Sequence, residues 1–271
     1  MKNFAGKVAV VTGAGSGIGQ ALAISLAGQG CHLALADINE DSLKETQKIL
    51  DSNAFEGNVH ITLHTVDVSQ WDQVQAFSMS VAEQHGQVDI LINNAGVAMG
   101  ALLKDASLED MRWIMDINFW GVVYGCKAFA PLMKSLDEAS IVNVSSVFGL
   151  ITAPMQSAYC ASKFAVRGFS DSLRQEAGYM GKNLKVACAF PAGIKTNIAD
   201  SARLTLHPKS DSSPEQERDR MEKWFWTSAE DAAADILKGI RKGKTRIKVG
   251  KGSTIIDLAS RLLPVKYNVF L

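Results

Sequence analysis

Lys7-Val8-Ala9-Val10-Val11-Thr12-Gly13-Ala14-Gly15-Ser16-Gly17-Ile18-Gly19-Gln20 is the stretch on which the fold turns. Lys7 to Thr12 is a short run rich in valine that stops at glycine, the pattern of a buried parallel strand. Gln20 to Gln29 then reads as an Ala/Leu/Ile helix. The glycines between them let the chain turn tightly and let backbone N–H groups approach a ligand. The N-terminus of the following helix carries partial positive charge and unpaired N–H groups, which suits a pyrophosphate. A glycine triplet alone says little. Strand, glycines and helix in that order point to a dinucleotide.

The next strand, Cys31 to Ala36, ends at Asp37. An acid at that position is placed to accept hydrogen bonds from an adenosine ribose diol and would repel a 2′-phosphate. Neither Ser16 nor Ile38 supplies a basic residue to neutralise one, so NAD is expected over NADP. The competing role for Asp37 is to cap a helix starting near Asn39.

The alternation continues along the chain. Asp41 to Asp51 reads as an exposed helix. Asn58 to Val66 reads as a third strand, ending at Asp67-Val68. Asp67 either bonds an adenine amino group or caps the helix from Ser69 to His85. Val88 to Ile92 is a fourth strand, followed by Asn93-Asn94-Ala95-Gly96, either a cofactor-lining loop or an ordinary asparagine-rich turn. Leu108 to Met133 is helical with a polar break at Asp116-Ile117-Asn118. Asn118 sits among apolar residues, so it is expected to be buried and to need partners. Ser140 to Ser146 and Leu184 to Phe190 are strands five and six, the latter ending in Pro191-Ala192-Gly193. Thr245 to Val249 is a short last strand. Strand ends thus gather polar and small residues on one edge, where open parallel sheets bind ligands. No domain boundary or repeat interrupts the series, so residues 1–271 are read as one domain.

Tyr159-Cys160-Ala161-Ser162-Lys163 places a tyrosine and a lysine four apart in a helical run, on one face one turn apart. An ammonium beside a phenol favours the phenolate, so a lowered tyrosine pKa is expected, suited to acid/base work.

Composition narrows the remaining classes. Apolar residues make up 47% and charged residues 21%, with 28 basic and 28 acidic side chains, so nothing favours electrostatic capture of nucleic acid. Four cysteines, none in a CxxC pair, read as reduced packing residues, and five scattered histidines show no metal-ligand spacing. No apolar run is long enough for a signal or membrane span, so a cytoplasmic location is expected. From Ile194 to Trp226 the pattern dissolves, and 194–227 is expected to form a substrate lid carrying Trp224, Phe225 and Trp226. Ser228 to Lys242 is a helix capped by Ser228. In the tail, 253–271, the segment Ser253 to Leu263 is amphipathic. Its apolar side is expected to pack on the body or on another subunit rather than on a membrane.

Together, TGAGSGIG (Thr12 to Gly19), Asp67-Val68, NNAG (Asn93 to Gly96), Asn118, IVNVSS, YCASK (Tyr159 to Lys163) and PAGIKT (Pro191 to Thr196) resemble the short-chain dehydrogenase/reductase family along essentially the whole chain. The resemblance implies an α/β fold, a single-domain, Rossmann-like, doubly wound parallel sheet of about seven strands with helices on both faces. It implies an oxidoreductase that moves hydride between NAD and a secondary alcohol or ketone, with a dinucleotide-binding sensor or scaffold as the alternative. It implies a tetrad of Asn118, Ser146, Tyr159 and Lys163, with Ser146 chosen over Ser145 because the family serine stands thirteen positions before the tyrosine. Lys163 would also bond the nicotinamide ribose, and Asn118 would hold a water linking Lys163 to solvent. The cofactor contacts it implies are Gly13, Ser16, Gly17, Ile18 and Gly19 in the glycine loop; Asp37, Ile38, Asp67 and Val68; Asn94, Ala95 and Gly96; Tyr159 and Lys163; and Pro191, Gly193, Ile194 and Thr196. Ala192 departs from the family pattern by standing where a glycine is usual. A homodimer or homotetramer is implied as well. The substrate pocket is expected from the Ala98–Leu103 loop, the Phe148–Met155 segment and the lid, and its apolar side chains favour an apolar alcohol or ketone.

Overall fold

The computed structural model describes residues 1–53, 55, 58–181, 183–196, 198, 202–204, 226–265 and 267. Most of the expected lid, including Trp224 and Phe225, and the end of the tail lie outside the described residues.

Seven strands form one parallel sheet in the order β3-β2-β1-β4-β6-β7-β9. They are β1 (Val8–Thr12), β2 (His32–Asp37), β3 (Ile61–Thr65), β4 (Ile90–Asn93), β6 (Ala139–Val144), β7 (Leu184–Pro191) and β9 (Arg246–Val249). Two-residue strands β5 (Met99–Gly100) and β8 (Arg203–Leu204) pair with each other. This short ribbon was not legible in the sequence. The helices are α1 (Gly17–Ala27), α2 (Glu40–Ser52), α3 (Trp71–His85), α4 (Leu108–Met115), α5 (Gly121–Met133), α6 (Ser157–Met180), α7 (Ala229–Arg241) and α8 (Ser253–Leu262).

Strand side chains alternate between two cores. Ala9, Val11, Leu33, Leu35, Ile90 and Ile92 face α1, α2 and α7. Val10, Ala34, Ala36, Leu91 and Ile141 face α3, α5 and α6. Both faces of the sheet are therefore covered, which is why its strands read as continuous apolar runs. The chain reverses direction across the sheet between β1 and β4, and the crevice at their C-terminal ends is the usual ligand site of such sheets.

Three expectations change on folding. Asp116–Trp120 does not break the helix but joins α4 to α5 through one π-helical turn. The third strand is shorter than expected, beginning at Ile61 rather than Asn58. Helix α8 does not pack its apolar stripe on the body of its own chain: Ile255, Leu258 and Leu262 are exposed, while Ser253 and Asp257 are buried. Ser228 caps α7 as expected, accepting from the Asp231 amide at 3.0 Å. All four cysteines are free and buried. Among the described residues, no helix is long and apolar enough to cross a membrane.

Helix α5 packs close on the sheet because Gly125 faces Asn93. Asn93 donates to Asn143 at 2.8 Å, and Asn143 donates to Ser170 of α6 at 3.0 Å. A Cβ at Gly125 would lie 2.2 Å from Asn93 Oδ1. Gly125→Ala is therefore expected to cost about 1–3 kcal/mol through overpacking, read as a lower Tm by calorimetry. An unchanged Tm would show that α5 can move away freely.

Candidate active site

A cleft of ≈ 680 Å³ runs along the C-terminal edge of the sheet, from Asp37 and Ile38 over the glycine loop to Tyr159 and Phe148. Its floor is made by glycines that no larger residue could replace. Gly13 and Gly17 have φ of 65° and 53°. A Cβ on Gly13 would lie 2.8 Å from Ala95 Cα, and one on Gly17 would lie 2.9 Å from Thr196 Cγ2. Gly19 does not line the cleft. A Cβ there would lie 2.0 Å from the Gly13 carbonyl oxygen, so its task is to let α1 sit against the loop. Ser16 and Ile18 border the cleft. Helix α1 starts with no side-chain cap and no acid in its first turn, the condition under which its N-terminal amides suit an external anion.

Asp37 stands beside that loop. Its Oδ2 accepts from the Gly15 amide at 2.9 Å and its Oδ1 from the Asn39 amide at 3.0 Å. It does not cap α2, because Asn39 does, accepting from the Ser42 amide at 3.0 Å. Asp67 likewise does not cap α3, whose N-cap is Gln70. Asp67 Oδ1 instead accepts from the Ser69 amide and hydroxyl. Both Asp67 and Val68 border the cleft.

The loop after β4 is fastened to β1. The Asn94 side chain donates to the carbonyls of Thr12 and Gly13 at 3.0 and 3.2 Å, and Thr12 Oγ1 accepts the amides of Asn94 and Ala95, both at 3.0 Å. Ala95 and Gly96 form the adjoining wall. Asn118, fully buried in the π-helical turn, clamps the next residue. Its Oδ1 accepts from the Val97 amide at 2.8 Å, and its Nδ2 donates to the Val97 carbonyl and to Ser162 Oγ, each at 3.0 Å. Asn118 therefore lies behind the cleft wall rather than in it. π-Turns of this kind recur at functional sites.

On the far wall, Pro191, Gly193, Ile194 and Thr196 line the cleft. Ala192 is accommodated by turning inward, where it is buried and its amide donates to the Val249 carbonyl at 3.1 Å. The glycine one place later takes the positive φ of 55°. Its carbonyl accepts the amides of Trp226 and Thr227.

Helix α6 carries Tyr159 and Lys163 on one face. Ser146 Oγ accepts from the Phe148 amide at 3.2 Å, and the serine lies near enough to the Tyr159 phenol to act on its titration. Ser145 turns the other way and donates to the Lys163 carbonyl at 2.8 Å. Lys163 is buried. Its ammonium donates to the Val144 carbonyl at 3.2 Å and lies 5.8 Å from the Tyr159 ring centre.

The expected lowering of the tyrosine pKa is not what this geometry produces. Burial pushes the Tyr159 phenol up to about 12, with the Ser146 hydrogen bond acting in the opposite direction. Burial also pushes the Lys163 ammonium down to about 8. The physical reason is that losing hydration disfavours whichever form is charged, while the ammonium is directed at a backbone carbonyl rather than at the phenol oxygen. At neutral pH the phenol keeps its proton.

Some participants were missed in the sequence. Gln156, the residue before α6, borders the cleft. Thr12 and Ser162, which hold Asn94 and Asn118, carried no pattern of their own.

The chain matches the family model described as short chain dehydrogenase over residues 7–206, and it belongs to that family of oxidoreductases. It is 39% identical over 268 residues to a putative oxidoreductase, SadH, of Mycobacterium tuberculosis, covering 99% of this chain and 95% of that one. A short chain dehydrogenase/reductase from Burkholderia phymatum, solved in complex with NAD, superposes with a TM-score of 0.86 at 32% identity, covering 98% of this chain and 97% of that one. A short chain dehydrogenase from Mycobacterium paratuberculosis bound to NAD gives a TM-score of 0.78 at 25% identity, covering 93% and 99%.

The depressed Lys163 pKa has a stability consequence. A lysine that titrates near 8 when folded and near 10.5 when unfolded costs the fold most below pH 8, and that cost fades as pH rises towards 10.5. Lys163→Met is therefore expected to raise Tm relative to the parent at pH 7, with the gap closing between pH 8 and 10.5. A gap that stays constant over that range would contradict the shift.

Proposed function

We propose that this protein is an NAD(H)-dependent oxidoreductase that interconverts a secondary alcohol and its ketone, with Tyr159 moving the proton. The observation that carries this reading is that Ser146, Tyr159 and Lys163 line the same cleft as Asp37 and the glycine loop. The glycines and the uncapped α1 terminus fit a pyrophosphate. Asp37, with its carboxylate held at the loop and no basic residue at Ser16 or Ile38, fits a ribose diol and disfavours a 2′-phosphate. Asn94, Ala95 and Gly96 on one wall and Pro191, Gly193, Ile194 and Thr196 on the other fit the nicotinamide half.

When bound, the nicotinamide supplies or accepts the hydride. In reduction, Tyr159 donates its proton to the carbonyl oxygen, a task suited to a phenol kept protonated at neutral pH. Ser146 donates a hydrogen bond to the same oxygen as charge develops there. Lys163, its ammonium 5.8 Å from the Tyr159 ring centre, keeps a positive charge close to the phenol and would bond the ribose of a bound cofactor. Asn118 is a positioning residue: its amide is committed to Val97 and Ser162, and through them it holds the wall beside Lys163. Phe148 stands edge-on to Tyr159 with ring centres 6.1 Å apart. With Val147 and Ala98 it gives the substrate end an apolar lining, which supports an apolar alcohol or ketone. The apolar groove between α5 and α6, with Val123, Ala130, Phe169 and Leu173, supports self-association as a homodimer or homotetramer.

Tyr159→Phe is expected to bind NADH nearly as the parent does, by fluorescence titration, while turnover of secondary alcohols, measured as NADH formation, falls by about 10²–10⁴-fold. Near-normal turnover would remove Tyr159 as the acid/base. Asp37→Ala is expected to weaken NAD far more than NADP in steady-state assays. An unchanged NAD/NADP preference would count against the ribose role.

A further inference from the structure

Helix α8 is mounted inside out. Ser253 and Asp257, four residues apart, share one stripe that faces the body, while Arg261 one turn further on pairs with Asp257 from the exposed flank. Ser253 Oγ donates to the Phe190 carbonyl at 2.8 Å. The Asp257 carboxylate is buried and pairs with Arg246 at 2.8 Å and Lys248 at 3.1 Å, both from β9, and with Arg261 at 3.2 Å. The opposite stripe, Ile255, Leu258 and Leu262, is 73%, 55% and 69% exposed. Single exposed hydrophobes are ordinary, but a continuous stripe on one helix is not. Hydrophobic burial alone would have seated this helix the other way round. The ion cluster on Asp257 orients it.

The charge around the stripe selects the occupant. From Lys248 to Val265 the only carboxylate is Asp257, and it is buried, whereas Lys251 and Arg261 are exposed. Trp226, half exposed beside Gly252, donates its indole N–H to the Lys251 carbonyl at 3.1 Å. An apolar stripe bordered by cations and an interfacial tryptophan matches an anionic bilayer surface.

We propose that α8 is an interfacial anchor that lies flat on an anionic lipid surface, with Ile255, Leu258 and Leu262 at the acyl boundary and Lys251 and Arg261 among the headgroups. The anchor is tied to the substrate end of the cleft: the Tyr267 hydroxyl bonds the Thr152 amide at 3.1 Å and Thr152 Oγ1 at 2.8 Å. Thr152 lies in the Phe148–Met155 segment beside Tyr159. Docking itself is independent of the oxidoreductase reading, and its test measures vesicle partitioning rather than turnover.

The full chain is mixed with vesicles of phosphatidylcholine alone or with phosphatidylglycerol added, and flotation is measured at low and high salt. Flotation with the anionic vesicles only, reduced by salt, is expected. The combined Ile255→Ser, Leu258→Ser and Leu262→Ser variant is expected to partition about tenfold less or weaker still, with an unchanged Tm. Lys251→Glu alone is expected to weaken partitioning about fivefold or more, which keeps the test decisive if the triple variant fails to fold. No flotation of the parent chain overturns the proposal. So does equal flotation of parent and Lys251→Glu, equal binding to neutral and anionic vesicles, or a stripe whose loss changes only the oligomer mass in sedimentation.

Discussion

Four hydrogen bonds join the ends of β1 and β4, and the cleft depends on them. Thr12 Oγ1 takes two amides from the β4 loop, and the Asn94 side chain returns two bonds to the carbonyls of Thr12 and Gly13. These strands adjoin where the sheet changes direction, so their loops part and leave a crevice. Backbone groups at such a seam are buried away from their own ladder and need partners. The asparagine and threonine satisfy them and at the same time set the distance between the glycine loop and the Ala95–Gly96 wall. Gly13 then has to be glycine, since its Cβ would fall on the Ala95 backbone.

A second layer of the same logic surrounds the tyrosine. Asn118 bonds Val97 and Ser162 through its amide, and Ser145 bonds the backbone of Lys163. Asn118 does not line the cleft, yet it fixes residues beside it. Ser146 is the neighbour turned towards the phenol. The opposed pKa shifts of Tyr159 and Lys163 follow from lost hydration, which disfavours the phenolate of the partly buried tyrosine and the ammonium of the buried lysine.

Away from the cleft, α8 shows polar interactions overriding the hydrophobic pattern. The apolar residues of Ser253–Leu263 invited the expectation of a helix packed by its apolar side. The carboxylate of Asp257, surrounded by Arg246, Lys248 and Arg261, reverses that orientation. Two of those three cations come from β9, and no local window of sequence contains their meeting with Asp257 as a requirement.

The sequence by itself determined the parallel α/β architecture, because buried β-branched runs alternating with helical periods leave few other arrangements. It also singled out the glycine loop, Asp37 and the Tyr159–Lys163 pair, whose spacings are local. Only the tertiary structure decided that Asp116–Trp120 continues the helix as a π-turn, that Asn118 sits behind the wall, that Ala192 turns inward, and that burial raises rather than lowers the Tyr159 pKa. Each of these depends on which distant residues arrive beside the group. Desolvation, packing room and ion pairing are set by those neighbours, and periodicity along the chain does not encode them.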